Sequence, residues 1–178
     1  MPSYHEVMST DLSALVTAAD AWDALAGGLS ATQDTYRSEV YDITLGPAWV
    51  GESADAARRL FGATLQEYAT FCAQAEGVAV LLRDAHAQLV PLRSAVEAAA
   101  REAVAAGMAV SGQGRCRLDF GRLPEAQRTA ALHDPGLPAV EQSWTDHIAR
   151  AVEAVTAADT AFAAAVKGAT ATAGPAGT

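Results

Sequence analysis

A chain of 178 residues and 18.3 kDa is one domain of ordinary size, too short for a multidomain enzyme. Hydrophobic residues make up 51% but aromatics only 6%, so the apolar content is mostly Ala, Leu and Val, suited to long helices packed side by side rather than a core around a large cofactor. Twelve Lys and Arg against 21 Asp and Glu give a net charge of −9 and a pI near 4.7, which repels a phosphate backbone and excludes nucleic-acid binding by counterion release.

Met1-Pro2-Ser3-Tyr4-His5-Glu6 has no basic segment ahead of an apolar run, and no stretch approaches the roughly 20 apolar residues of a membrane span. Neither a Sec signal nor a transmembrane segment is expected. Ser9-Thr10-Asp11 offers N-cap residues. From there Leu12, Leu15, Ala19, Trp22, Ala26, Leu29, Gln33, Tyr36, Val40 and Ile43 alternate spacings of three and four, about five heptads of a helical seam. Gly27-Gly28 weakens that helix by about 1 kcal/mol per glycine, and Gly46-Pro47 stops it.

Glu52-Ser53 can cap a second helix, whose seam is Phe61, Thr64, Tyr68, Phe71, Ala75, Val78, Leu82, Ala85, Leu89, Leu92, Val96, Ala99, Ala103 and Ala106. At 1.5 Å per residue it is about 80 Å long against about 50 Å for the first, so something else must cover its far end. Pro91 inside it removes one hydrogen bond and predicts a kink. The two helices make a helical hairpin over 9–106. Residues 108–120 read as a β-hairpin, with Val110 before the turn Ser111-Gly112-Gln113-Gly114 and Cys116, Leu118 and Phe120 alternating with Arg115, Arg117 and Asp119. Pro124 opens a short helix over 124–133, and Asp134-Pro135-Gly136-Leu137-Pro138 turns into a C-terminal helix over 138–167. Its seam of Trp144, Ile148, Ala151, Val155, Ala158, Phe162 and Ala165 is the expected cover. Residues 168–178 are low-complexity and predict a disordered tail or linker. The expected fold class is all-α: an elongated helical hairpin extended to a bundle of three long helices, a single domain over 1–167, with a small β-hairpin at one end.

Chemistry-bearing patterns are scarce. His5, His86, His133 and His147 occur in no H-E-x-x-H or E-x-x-H spacing, and there is no C-x-x-C, so no metal site is expected. Asp84 with His86, His133 with Asp134, and Asp146 with His147 lie one or two apart, which on a helix points them away from each other. His133 would sit in the last turn of its helix, where a cation is favoured. No G-x-S-x-G elbow is present, Gly112-Gln113-Gly114 is turn chemistry rather than a nucleotide loop, and no isolated carboxylate pair occurs. Neither an enzyme nor a cofactor is expected. A helix from Cys72 onward carries the chain about 50 Å away, so a bridge to Cys116 within the roughly 7 Å Cα limit is not expected.

Trp49-Val50-Gly51 falls in the turn between the two heptad-patterned helices, within Leu45-Gly46-Pro47-Ala48-Trp49-Val50-Gly51-Glu52-Ser53-Ala54. On these residues the chain resembles the WXG family of small helical-hairpin proteins exported by type VII (ESX) secretion systems, over roughly residues 9–106. Physically, the indole can close the end of the apolar seam while Gly51 lets the backbone pass close or take a positive φ. The remainder more loosely resembles longer actinobacterial relatives in which such a hairpin is the N-terminal module of a secreted toxin or hydrolase.

The resemblance implies a protein secreted without a Sec signal peptide, recognised through its apolar seam by a helical partner. That partner is a small WXG-type protein, the secretion machinery or a second copy, so homo- and hetero-oligomers are both open. Two features depart from the family. Its Y-x-x-x-D/E signal is absent, since Tyr4, Tyr36, Tyr41 and Tyr68 are followed four residues on by Met8, Val40, Leu45 and Cys72. The C-terminal helix can also cover the hairpin internally, where small family members dimerise. The alternative is a cytoplasmic adaptor using the same seam. Trp22, Tyr36, Phe61, Tyr68 and Phe71 are expected to form an upper core near the turn motif of Trp49 and Gly51, and Leu82, Leu89, Val96, Trp144, Ile148 and Phe162 a lower one. These positions, with Leu29, are the candidate core or interface seam.

Overall fold

The structure, a computed structural model, describes residues 2–171. Among them the chain is mostly helical, with five α-helices and one two-stranded antiparallel sheet. It falls into two compact units. A hairpin unit comprises Ser13–Asp84 with the end of the chain from Ala163, and a strand-bearing unit comprises Met1–Leu12 with Ala85–Phe162.

In the hairpin unit, α2 (Ser13–Tyr36) runs into a π-helical turn (Arg37–Tyr41) and a 3-10 turn (Asp42–Leu45). A turn then leads to α3 (Glu52–Ala105), whose first part, to Asp84, belongs to this unit. The heptad reading holds from Leu15 to Val40 except at Trp22: Ala19 and Ala26 are buried and Leu15, Leu29, Gln33, Tyr36 and Val40 partly buried, but Trp22 is exposed. Beyond Val40 the expectation fails by one residue. Ile43 is 58% exposed and Thr44 is fully buried. The cause is the π turn, closed by Asp42 N–H donating to the Arg37 carbonyl. An i→i+5 ring adds a residue to the turn and rotates everything after it. The Thr44 hydroxyl donates to the Tyr41 carbonyl at 2.7 Å, so it is buried without an orphaned O–H.

Helix α3 is 54 residues long and continues through Pro91. In the strand-bearing unit its apolar stripe is the floor: Ala85, Leu89, Val96, Ala99 and Ala103 are all buried. Strands β1 (Met108–Val110) and β2 (Cys116–Leu118) pair in the register Met108 with Leu118 and Val110 with Cys116. The hairpin is shorter than expected, because Phe120 opens a 3-10 turn (Phe120–Arg122) instead of prolonging β2. Helix α4 (Glu125–Leu132) follows Pro124, and His133 takes the C-terminal cap, its Nδ1 donating to the Thr129 carbonyl at 2.8 Å. Helix α5 (Leu137–Ala171) outruns its expected end at 167, so 168–171 are helical; the rest of the expected tail lies outside the described residues.

Met108, Cys116, Ile148, Ala99 and Ala103 form the buried cluster of this unit, with Trp144, Leu118 and Tyr4 packed against it. Ile148 is 1% exposed. Ala99 and Ala103 of α3 thus pack with Ile148 of α5 and with Met108 and Cys116 of the hairpin. Helix α5 completes the edge of β2 as well. The residues of β2 that face away from β1 would leave open N–H groups. Thr145 Oγ1 accepts from Cys116 N–H at 3.0 Å, and Glu141 Oε1 accepts from Leu118 N–H at 2.9 Å. One helical turn apart, the two side-chain acceptors match N–H donors two residues apart on the strand.

One element was not anticipated. Helix α1 (Tyr4–Ser9) is closed at its start by a capping box: Ser3 Oγ accepts from Glu6 N–H, and Glu6 accepts from Ser3 N–H at 2.7 Å. The Ser3 backbone N–H first, and its hydroxyl second, hold the Glu6 carboxyl below its usual range. Ser9 and Thr10, read from sequence as the start of the next helix, instead end this one. Their hydroxyls donate to the carbonyls of His5 at 2.8 Å and Glu6 at 2.6 Å.

Candidate interaction site

The turn between α2 and α3 holds Trp49 and Gly51. Gly51 has φ +102°, the left-handed region that glycine adopts without cost. A Cβ built on it would meet nothing within 4 Å, so of the two roles expected for this glycine the structure uses the positive φ and not a close approach. Trp49 is half-buried, and its Nε1 donates to Ser53 Oγ at 3.2 Å, tying the turn to the first turn of α3. Arg58, one turn further on, donates to the Thr44 carbonyl at 2.6 Å and pairs with Asp55 at 3.2 Å. Around this turn Ile43, Leu45, Val50 and Leu60 are exposed.

Next to the turn, Tyr36 meets Phe61 edge-on with ring centroids 6.2 Å apart and Tyr68 at 5.9 Å. These three of the five expected upper-core residues form an aromatic cluster. Gln33 Nε2 donates to the Leu65 carbonyl at 3.1 Å beside it. The other two are not core. Trp22 is 37% exposed and Phe71 48% exposed. A heptad assigns a and d positions to one partner, and here small Ala19, Ala26 and Ala75 take the inner contact while the large side chains lie at its edge.

At that edge Trp22, Leu25 and Leu29 of α2 face Phe71, Gln74 and Val78 of α3 across an apolar hollow of roughly 380 Å³, which Ala169 also lines. Leu25, 49% exposed, was missed by the seam reading. Its signal is the spacing 22, 25, 29, a second stripe one step off the heptad. The helical neighbours of Trp22, Leu25 and Phe71 at three and four residues carry a single charge, Glu67. The charges of α2 lie elsewhere. Arg83 of α3 bridges Asp20 at 2.8 Å and Asp23 at 2.6 Å, and hydrogen bonds to Asp23 first and Asp20 second raise its already high pKa. Cys72 Sγ donates to the Ala26 carbonyl at 3.4 Å.

In the strand-bearing unit, Leu89 and Ile148 are buried and Trp144 and Phe162 partly so; Leu82, expected with them, lies partly buried in the hairpin unit. Asp146 and His147 point apart as read, but His147 has a partner the sequence did not disclose: Nε2 lies 2.9 Å from Glu102 Oε2, with the ring edge-on to Trp144. Cys72 and Cys116 are free thiols. Burial pushes the Cys116 thiol above its ordinary pKa, against a smaller lowering by Thr145. Among the described residues no group of three or more His, Cys, Asp or Glu is placed to hold a metal ion, and no helix is long and apolar enough to cross a membrane. What the hollow and the turn offer is apolar contact and shape. The chain matches no protein-family model, and no curated protein and no solved structure is significantly similar to it.

Proposed function

We propose that this chain is a non-enzymatic, WXG-like helical protein of a type VII (ESX) secretion system. It acts as an exported substrate or as the export and partner-binding module of a larger secreted effector, with the hollow at Trp22, Leu25 and Phe71 as the seat of a helical partner. The observation that carries this reading is Trp49-Val50-Gly51 in the turn between α2 and α3, with Gly51 at φ +102° and the Trp49 indole bound to Ser53. The nearly uncharged face around exposed Trp22 and Phe71 supports partner binding, because burying it costs almost no charge desolvation. In this reading the three long helices close into one bundle, and the route out of the cell needs no Sec leader.

The test is immunoblotting of culture filtrate and lysate from the producing cell with its ESX machinery intact and inactivated. Appearance in the filtrate only with intact machinery is the expected result. Retention in the lysate in both cases refutes export and favours the second reading, a cytoplasmic helical adaptor, which the missing Y-x-x-x-D/E pattern supports. Leu25→Glu separates partner holding from folding: it places a charge in the hollow, and loss of co-purifying helical protein with an unchanged circular-dichroism spectrum is expected.

A further inference from the structure

We propose that α1 is a latch, an element that lifts off the strand-bearing unit in one step while the rest of that unit stays folded. Six residues are too few for a helix to hold itself in water, so α1 stands only by what it touches. It is held at three points. Val7 is buried. Tyr4 packs on the cluster of Met108, Cys116 and Ile148 and against Gly114, where an added Cβ would come within 3.1 Å of the Tyr4 Cβ and 3.2 Å of its ring Cγ. Arg93 of α3 donates to the carbonyls of Met8 at 3.0 Å and Thr10 at 2.8 Å, acceptors that a helix end leaves open.

Arg93 is the bolt of this latch. Glu97 lies 3.3 Å from its Nε as an ion pair, without hydrogen-bond geometry. Packing around α1 is incomplete: a partly open pocket of roughly 150 Å³ is lined by Val7 and Leu12 together with Leu89 of α3 and Val155 of α5. Contacts missing across that gap weaken the closed state relative to a close-packed helix. Asp11-Leu12, outside both helices, supplies the hinge, and the chain passes from one unit to the other directly after it. Lifting α1 bares Leu89 and Val155, both buried when it is closed.

NMR-detected hydrogen exchange on the full chain tests this. The amides of Val7 and Thr10, bonded to the Ser3 and Glu6 carbonyls at 3.0 Å each, are expected to share one opening rate. That rate should be insensitive to low denaturant and faster than for the α3 amides between 94 and 103. Arg93→Gln is expected to raise exchange of residues 7–10 about tenfold, as when charge-assisted bonds to a partly exposed arginine are lost. It should leave α5 unchanged, and Arg93→Lys should restore part of the protection. Exchange graded from the chain end would overturn the latch in favour of simple fraying. Exchange of residues 7–10 only with global unfolding, or acceleration of all segments alike by Arg93→Gln, would overturn it in favour of a fixed structural element.

Discussion

Replacing Gly51 by Ala isolates what the turn asks of its glycine. A Cβ at this position meets no atom within 4 Å, so the substitution adds no collision and removes no contact. What remains is the cost of holding an L residue at φ +102°, about 1–2 kcal/mol in the left-handed region. Against it stands about 0.4–1 kcal/mol from the stiffer unfolded chain. The expected net effect is a loss of about 1 kcal/mol, or roughly 2–4 °C in Tm for a chain of this size. Gly27→Ala is the matched control. Its Cβ also meets nothing within 4 Å, but the site lies inside α2, so the change should stabilise by about 1 kcal/mol. Thermal and urea unfolding followed by far-ultraviolet circular dichroism measure both. Two identical chemical changes in equally open space should therefore move stability in opposite directions. If Gly51→Ala is neutral or stabilising, the positive φ is not what this glycine is for, and the physical account of the turn motif fails.

Two further outcomes follow from the strand-bearing unit. Glu141→Ala removes the acceptor of the Leu118 N–H and should cost about 1–3 kcal/mol, while Glu141→Gln, which keeps a carbonyl oxygen there, should recover most of the loss in the same unfolding assay; equal losses would show that charge rather than the strand-edge bond matters. The Cys116 thiol is raised by burial, so the folded state keeps its proton to higher pH than the unfolded one. Its contribution is fully present below the unfolded thiol pKa of about 8.5 and is lost as pH rises from there through the folded value. Unfolding midpoints between pH 7 and pH 10 should fall less steeply in Cys116→Ala than in the unaltered protein.

Much of the architecture is written in local pattern. Period-3.6 apolar spacing located α2, α3 and α5, because a helix closes its own hydrogen bonds and needs only one continuous apolar stripe to be recognisable in one dimension. Alternation from Cys116 and the turn residues 111–114 located the hairpin, and Gly51 within Trp49-Val50-Gly51 marked a special backbone position, of whose two possible roles the structure shows the positive φ. Three things required the folded chain. The phase of a stripe survives only while the helix type does, and the π turn at Arg37–Tyr41 moved burial from Ile43 to Thr44. The division of a stripe into interior and edge depends on how near a neighbour comes, so close approach at Ala19, Ala26 and Ala75 left Trp22 and Phe71 beside an open hollow. Pairings between distant residues, such as Arg93 with Met8 and Thr10, Arg83 with Asp20 and Asp23, and Glu141 with Leu118, have no periodic signature. They arise only when separate segments are brought into register, and α1, six residues held by such contacts rather than by its own propensity, exists only in that company.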